Sequence, residues 1–310
     1  MIFEIGVAAG ILLFTAPWLF ARLCPEAAAG LLTAMARRQA GLAERRASVG
    51  GIDIAWWEGG QGEPLILVHG MGASRGTFLA VARFLTPRYR VIIPDLPGFG
   101  DSGKPPEADY SIGAQVDHLH RFMTALGLSK AHFGGNSMGG WITATYAARF
   151  PDRVSSLWLL AAAGTEDLRQ SIATIAYLER REYILLPRGA EELRQVFGLI
   201  MDKLPPIPHC MLVSLGRRAA ANFPLHKRIF DDLVERAVEF QLEPLLPAIT
   251  QPTLLVWGAH DRVVPPSALE TFHALLPRSE AILLPHVAHV PQVEAPQRVA
   301  ADYLAFRDRL

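Results

Sequence analysis

Two rhythms of apolar residues alternate along the chain. Short unbroken runs occur at Leu65-Ile66-Leu67-Val68, Val91-Ile92-Ile93, Ala131-His132-Phe133, Leu157-Trp158-Leu159-Leu160, Thr253-Leu254-Leu255-Val256-Trp257 and Ala281-Ile282-Leu283-Leu284. Runs of this kind, with no polar residue every second place, mark strands buried on both faces of a sheet. Ahead of them Ile52, Ile54 and Trp56 alternate with polar or small residues up to a turn at Gly59-Gly60-Gln61-Gly62. Between most of the runs lie stretches of helical spacing, roughly 77–86, 111–126, 138–149, 267–276 and 291–309. Strands alternating with helices predict an α/β fold, with a mostly parallel central sheet covered by helices on both faces.

One interval breaks the rhythm. From Leu160 to Thr253 no strong strand pattern occurs, and helical segments are divided by Pro187-Arg188-Gly189, Pro205-Pro206-Ile207-Pro208 and Pro244. That is too long for a connection inside a compact sheet, so residues 165–248 are predicted to form an inserted helical cap on a core of residues 48–164 and 249–310. The insertion follows a strand's C-terminal end, which is where sheets of this kind hold their ligands.

The N-terminus has a different character. Ile5 to Phe20 carries no charge. Sixteen helical residues reach about 24 Å, and adding Ile2, Phe3 and Leu23 brings the length near the roughly 30 Å of a bilayer's hydrocarbon core. No basic residue precedes the run and no small-x-small site follows it, so an uncleaved membrane anchor over residues 1–24 is the better reading than a signal peptide. Arg22, Arg37, Arg38, Arg45 and Arg46 all follow the run. This bias predicts a catalytic domain on the cytoplasmic side. Residues 25–47 are predicted as a juxtamembrane helix or linker, helical over 26–46, with Leu31, Leu32, Met35 and Leu42 opposed to the arginines and resting on headgroups.

Composition narrows the functions available. Thirty basic and thirty acidic residues leave no net charge to attract nucleic acid. The two cysteines, Cys24 and Cys210, build no disulfide framework, and no CxxC or histidine-rich cluster calls for a metal.

The candidate chemistry centres on Gly135-Asn136-Ser137-Met138-Gly139, between an apolar run and a helical stretch. A serine flanked by glycines at two residues on either side, between strand and helix, has the form of a nucleophile elbow, whose tight turn leaves no room for larger neighbours. A serine needs a base, and the base needs a group to orient it. Gly258-Ala259-His260-Asp261 and Pro285-His286-Val287-Ala288-His289 each follow a buried strand, so Ser137, Asp261 and His289 would project from one sheet edge as nucleophile, acid and base. His289 is preferred to His286 because Val290-Pro291 and Glu294 open the last helix directly after it. His260 reads as a loop residue, and Glu166 or Asp167 as an alternative acid displaced into the cap. His118, His120, His132 and His273 carry no motif. The backbone N–H groups of Met71, in His69-Gly70-Met71-Gly72, and of Met138 are the candidate oxyanion donors. His69 reads as a brace for its loop, and Asp95-Leu96-Pro97-Gly98-Phe99-Gly100-Asp101-Ser102 as a tight connection.

Together these pieces resemble the α/β-hydrolase family from about Ser48 to Leu310: His69-Gly70, Asp95-x-Pro97-Gly98-x-Gly100-x-Ser102, Gly135-x-Ser137-x-Gly139, Gly258-x-x-Asp261 and His289. The resemblance implies the α/β-hydrolase fold and a Ser-Asp-His mechanism without a cofactor. Within the family, the N-terminal apolar run, the His69-Gly70-Met71 loop and Met138-Gly139-Gly140 are similar to the membrane-anchored monoacylglycerol lipases. That likeness implies hydrolysis of single-chain glycerol esters at a membrane. Asn136 also resembles the carbon–carbon hydrolases of aromatic ring-fission products, which stand as the alternative. A non-catalytic, membrane-anchored binding module is the rival from another class, and would be marked by a missing member of the triad.

Overall fold

The apolar runs become the inner strands of one eight-stranded sheet. In the computed structural model, which describes residues 19–310, the strands are β1 (Leu42–Val49), β2 (Ile52–Gly59), β3 (Pro64–Val68), β4 (Arg90–Pro94), β5 (Ala131–Asn136), β6 (Val154–Leu160), β7 (Thr253–Gly258) and β8 (Ser279–Leu284). Their order is β1-β2-β4-β3-β5-β6-β7-β8. β1 and β2 pair antiparallel, as do β2 and β4, and every pairing from β4 through β8 is parallel.

Alternation along each strand sorts the core into two layers. Ile66, Val68 and Ile92 pack on one face with α3 (Ile112–Ala125), α4 (Met138–Arg149) and α8 (Ser267–Leu275). Leu65, Leu67, Val91 and Ile93 pack on the other with α2 (Leu79–Leu85) and α10 (Pro296–Asp308), which follows the short helix α9 (Pro291–Glu294). Because successive side chains of a strand point to opposite faces, a continuous apolar run is what a doubly covered sheet demands.

From β3 the chain crosses to β4 on one side, whereas β5 lies on the other side and leads on to β6. The order reverses between β3 and β5, and the loops leaving their C-terminal ends flank the crevice that such a reversal opens. The cap lies between β6 and β7 and contains α5 (Ile172–Arg180), α6 (Ala190–Ile200) and α7 (His209–Glu235).

The N-terminal segment differs from the sequence expectation. The helix predicted over 26–46 stops at Gln39, as α1 (Pro25–Gln39), with Gly41 beyond its end at φ 69°. Residues 42–49 are instead the edge strand β1, joined to β2 through Gly50 and Gly51, both at positive φ. The last part of the expected 25–47 linker therefore belongs to the sheet. Its six inner residues are exposed, so no apolar alternation announced it. Charged residues on an edge strand also block pairing with other chains. Helix α1 packs along α7, where Glu26 accepts from the Ser214 hydroxyl at 2.5 Å and pairs with Arg217 at 3.3 Å. Leu31, Leu32 and Met35 are exposed on it. The expected anchor falls mostly on residues 1–18, outside the described residues. Among the described residues no helix is long and apolar enough to cross a membrane.

Two histidines without motifs act in folding. On β5, His132 is buried and bonded to Ser156 Oγ at 2.9 Å and to Glu63 at 3.2 Å. On α7, His226 is buried and stacks on Phe99. Burial holds the pKa of each down at about 4. The unfolded chain therefore binds protons that the native state refuses. This stabilisation is complete above pH ~6.5 and is lost as pH falls toward 4, by up to about 3 kcal/mol per histidine. The urea midpoint should fall over that window, and less steeply for His226→Gln; identical slopes would contradict the assignment.

Candidate active site

At the end of β5 the backbone turns sharply, and Ser137 takes φ 56° and ψ −121°, immediately before α4. A non-glycine residue there is strained and must be held by its surroundings. The surroundings are tight: a Cβ on Gly135 would lie 2.3 Å from the Gly139 carbonyl oxygen, and one on Gly139 2.0 Å from that of Val68. The Ser137 N–H donates to Leu160 O at 3.1 Å, while its carbonyl accepts from Trp141 and Ala163. The strain presents a half-exposed serine at the N-terminus of α4, where the helix dipole favours negative charge.

Asp261 and His289 come together. The His289 ring Nδ1 lies 2.9 Å from Asp261 Oδ2, and both residues are about 5% exposed. Asp261 Oδ1 accepts from the N–H groups of Val263 and Val264 at 2.8 and 2.9 Å. Those bonds leave Oδ2 for the imidazole, fix the carboxylate plane and make Nδ1 the protonated nitrogen. His286 is exposed, with its ring near that of His260, and His260 pairs with Asp202 of the cap at 2.6 Å. Asp167 is engaged by Ser267 and Thr165, and Glu166 by Arg169, so neither serves the imidazole.

The loop after β3 passes beside the nucleophile candidate. A Cβ on Gly70 would lie 3.1 Å from Ser137 Cβ and 3.6 Å from Oγ. This puts the segment carrying Met71 against the elbow carrying Met138. His69 braces it: Nε2 accepts from the Leu96 N–H at 3.1 Å, so Nδ1 carries the proton and donates to Gly70 O at 2.9 Å. Burial lowers the pKa of His69, which keeps the ring neutral and this arrangement intact. The connection after β4 does more than turn the chain. Asp95 accepts from the backbone N–H and guanidinium of Arg75 at 2.7 and 2.6 Å, and Arg75 also pairs with Asp101 and Glu44. The Met71 loop is thereby tied to its neighbour by a buried ion pair with full hydrogen bonding of the carboxylate, which is the condition under which such a pair holds.

The segment expected as a cap packs against the first of these loops. Tyr177, Leu186 and Phe230 form a cluster on which Met71, Tyr183 and Phe223 pack, so a cap wall rests on the loop after β3. Beside it a cavity of about 410 Å³ is lined by Tyr183, Ile184, Leu186, Val196 and Leu199, among others. At the other end of α6, Ile200 O accepts from the His289 N–H at 2.9 Å. Glu294 accepts from Ala288 and Asp202 N–H at 2.9 and 2.6 Å, and burial raises its carboxyl above the ordinary range against the pull of these donors. Neither Glu294 nor Arg75 stood out in the sequence as more than a helix or loop residue, because their partners are distant in the chain. Among the described residues no cluster of side chains suited to a metal ion occurs.

With this geometry in view, comparison with known proteins is decisive for the family. The alpha/beta hydrolase fold family matches residues 63–296. The chain belongs to the α/β-hydrolase family. This hydrolase is similar to Lipase 3 of Moraxella sp. (strain TA144), 39% identical over 252 residues that cover 80% of this chain and 78% of that protein. It is 27% identical over 252 residues to the human monoacylglycerol lipase ABHD6, covering 78% and 75% of the two chains. Among solved structures, a membrane phospholipase A described as a bacterial virulence factor superposes with a TM-score of 0.88 at 39% identity, covering 99% of this chain and 96% of that one.

Proposed function

We propose that this hydrolase cleaves carboxylic esters of lipids, as a monoacylglycerol lipase or carboxylesterase working through an acyl-enzyme. The observation that carries this reading is the strained Ser137 at the start of α4, at the same sheet edge as a His289 held in one tautomer by Asp261. His289 takes the Ser137 proton as Oγ attacks the ester carbonyl, and Asp261 stabilises the imidazolium that results. The N–H groups of Met71 and Met138 receive the oxyanion. His289 then protonates the departing alcohol, and water, deprotonated by the same imidazole, releases the fatty acid and restores Ser137. No step requires a cofactor. The relatives named as lipases and as a phospholipase support a lipid ester over a ring-fission product. Asn136, the residue that resembled the carbon–carbon hydrolases, turns its amide nitrogen inward onto two main-chain carbonyls.

Membrane association through the N-terminus, with the catalytic domain facing the cytoplasm, belongs to the same proposal. Leu19 and Phe20, which end the apolar run begun at Ile5, are exposed, as are Leu23, Leu31, Leu32 and Met35 beyond it. A panel of monoacylglycerols, phospholipids, short aryl esters and a ring-fission dienoate tests the substrate. The highest kcat/KM is expected on monoacylglycerols; turnover of the dienoate alone would overturn the reading. In the same preparation the full chain should float with vesicles and a chain lacking residues 1–24 should not, and equal flotation removes the anchor.

A further inference from the structure

Asn136 is the last residue of β5 and is 3% exposed. Its side-chain Nδ2 donates to Leu160 O at 2.9 Å and to His289 O at 3.0 Å. Both neighbours are carbonyl oxygens, so the amide can present only its nitrogen to them, and the two protons of one planar group are both used. Leu160 O is also the acceptor for the Ser137 N–H at 3.1 Å. One carbonyl at the end of β6 thus holds the elbow backbone, and one amide nitrogen ties that carbonyl to the backbone of His289, 153 residues away in the chain. The other side of His289 is held by the cap, through its N–H on Ile200 O.

We propose that Asn136 is a positioning residue that sets the placement of His289 relative to Ser137 through these two hydrogen bonds. The inference rests on the serine-hydrolase reading above, and deepens it. The Asp261 bond orients the imidazole plane. It does not fix how far the ring stands from the serine, because Asp261 and His289 sit on loops after β7 and β8, whereas Ser137 follows β5. Among the side-chain hydrogen bonds described, that of Asn136 to His289 O links the residue before the nucleophile directly to the base. It touches neither substrate nor reacting atoms. Its effect is expected on the rate of proton transfer and attack, where a misplacement of about 1 Å costs up to roughly 10²-fold.

The test compares Asn136→Ala and Asn136→Asp with wild type, using the full chain. The aspartate keeps the shape but sets an acceptor, or a single proton, against two acceptors. Both variants should lose about 10- to 100-fold in kcat on a monoacylglycerol, with KM within about twofold. The second-order rate of Ser137 labelling by a fluorophosphonate should fall in parallel. Gln251→Ala serves as the control for stability. Gln251 is also buried and donates to a main-chain carbonyl, Pro151 O at 2.9 Å, but it precedes β7 at the opposite sheet edge. Its loss should lower Tm while kcat stays at the wild-type level. Wild-type kcat in either Asn136 variant, an effect confined to KM, or an equal kcat loss in Gln251→Ala overturns the proposal. A wild-type protein that is neither labelled nor hydrolyses esters instead brings down the serine-hydrolase reading beneath it.

Discussion

Ser137→Ala is expected to lower ester turnover by roughly 10⁴-fold or more, to abolish fluorophosphonate labelling, and to leave substrate affinity nearly unchanged. The elbow has no substitute for the hydroxyl: Ser137 stands alone at the turn, followed by Met138, Gly139 and Gly140. Alanine relieves none of the strain at φ 56°, because that strain is imposed by the approach of Gly135 to Gly139 and of Gly139 to Val68. The fold should therefore survive with its Tm close to wild type, and the loss can be assigned to the missing oxygen. Labelling that persists in the variant would remove Ser137 as nucleophile.

Asp261→Asn should be nearly as severe, about 10⁴-fold in kcat, for a different reason. Oδ1 of Asp261 accepts two backbone N–H groups, from Val263 and Val264, so an asparagine must keep its amide oxygen there. Its NH2 is then forced against His289 Nδ1. Two donors cannot share that contact, and the ring responds by moving its proton to Nε2, the nitrogen that has to accept the serine proton. The tautomer is wrong while the packing is intact. Wild-type Tm with this loss of kcat is the expected result, and kcat within tenfold of wild type at neutral pH would show that another group orients His289.

How much of this was legible beforehand depended on the range over which each signal acts. The buried strands were readable because a sheet covered on both faces demands an apolar residue at every position, as at Leu65 to Val68. The elbow was readable because its steric requirement falls on residues only two away, Gly135 and Gly139. The edge strand β1 was not. Its outward residues are polar and carry no period, and alanine, glutamate and arginine favour helix, so the reading ran on to residue 46. Gly41, and the Gly50-Gly51 pair ahead of Ile52, were the local marks of the helix end and the hairpin. Asn136 was read as a clue to substrate, because sequence alone cannot show which way an amide points. In the fold its amide nitrogen has both protons on main-chain carbonyls.

Local constraints in the sequence determined the α/β-hydrolase fold, and set a candidate serine, aspartate and histidine on loops along one sheet edge. Tertiary structure brings His289 rather than His286 onto Asp261, burying the one and leaving the other exposed although they differ by three residues. It also decided what holds the backbone of that histidine: Asn136 from β5 and Ile200 from α6. These contacts join segments separated by up to 153 residues, and nothing in the spacing of a chain encodes a hydrogen bond made only after the sheet has brought its ends together.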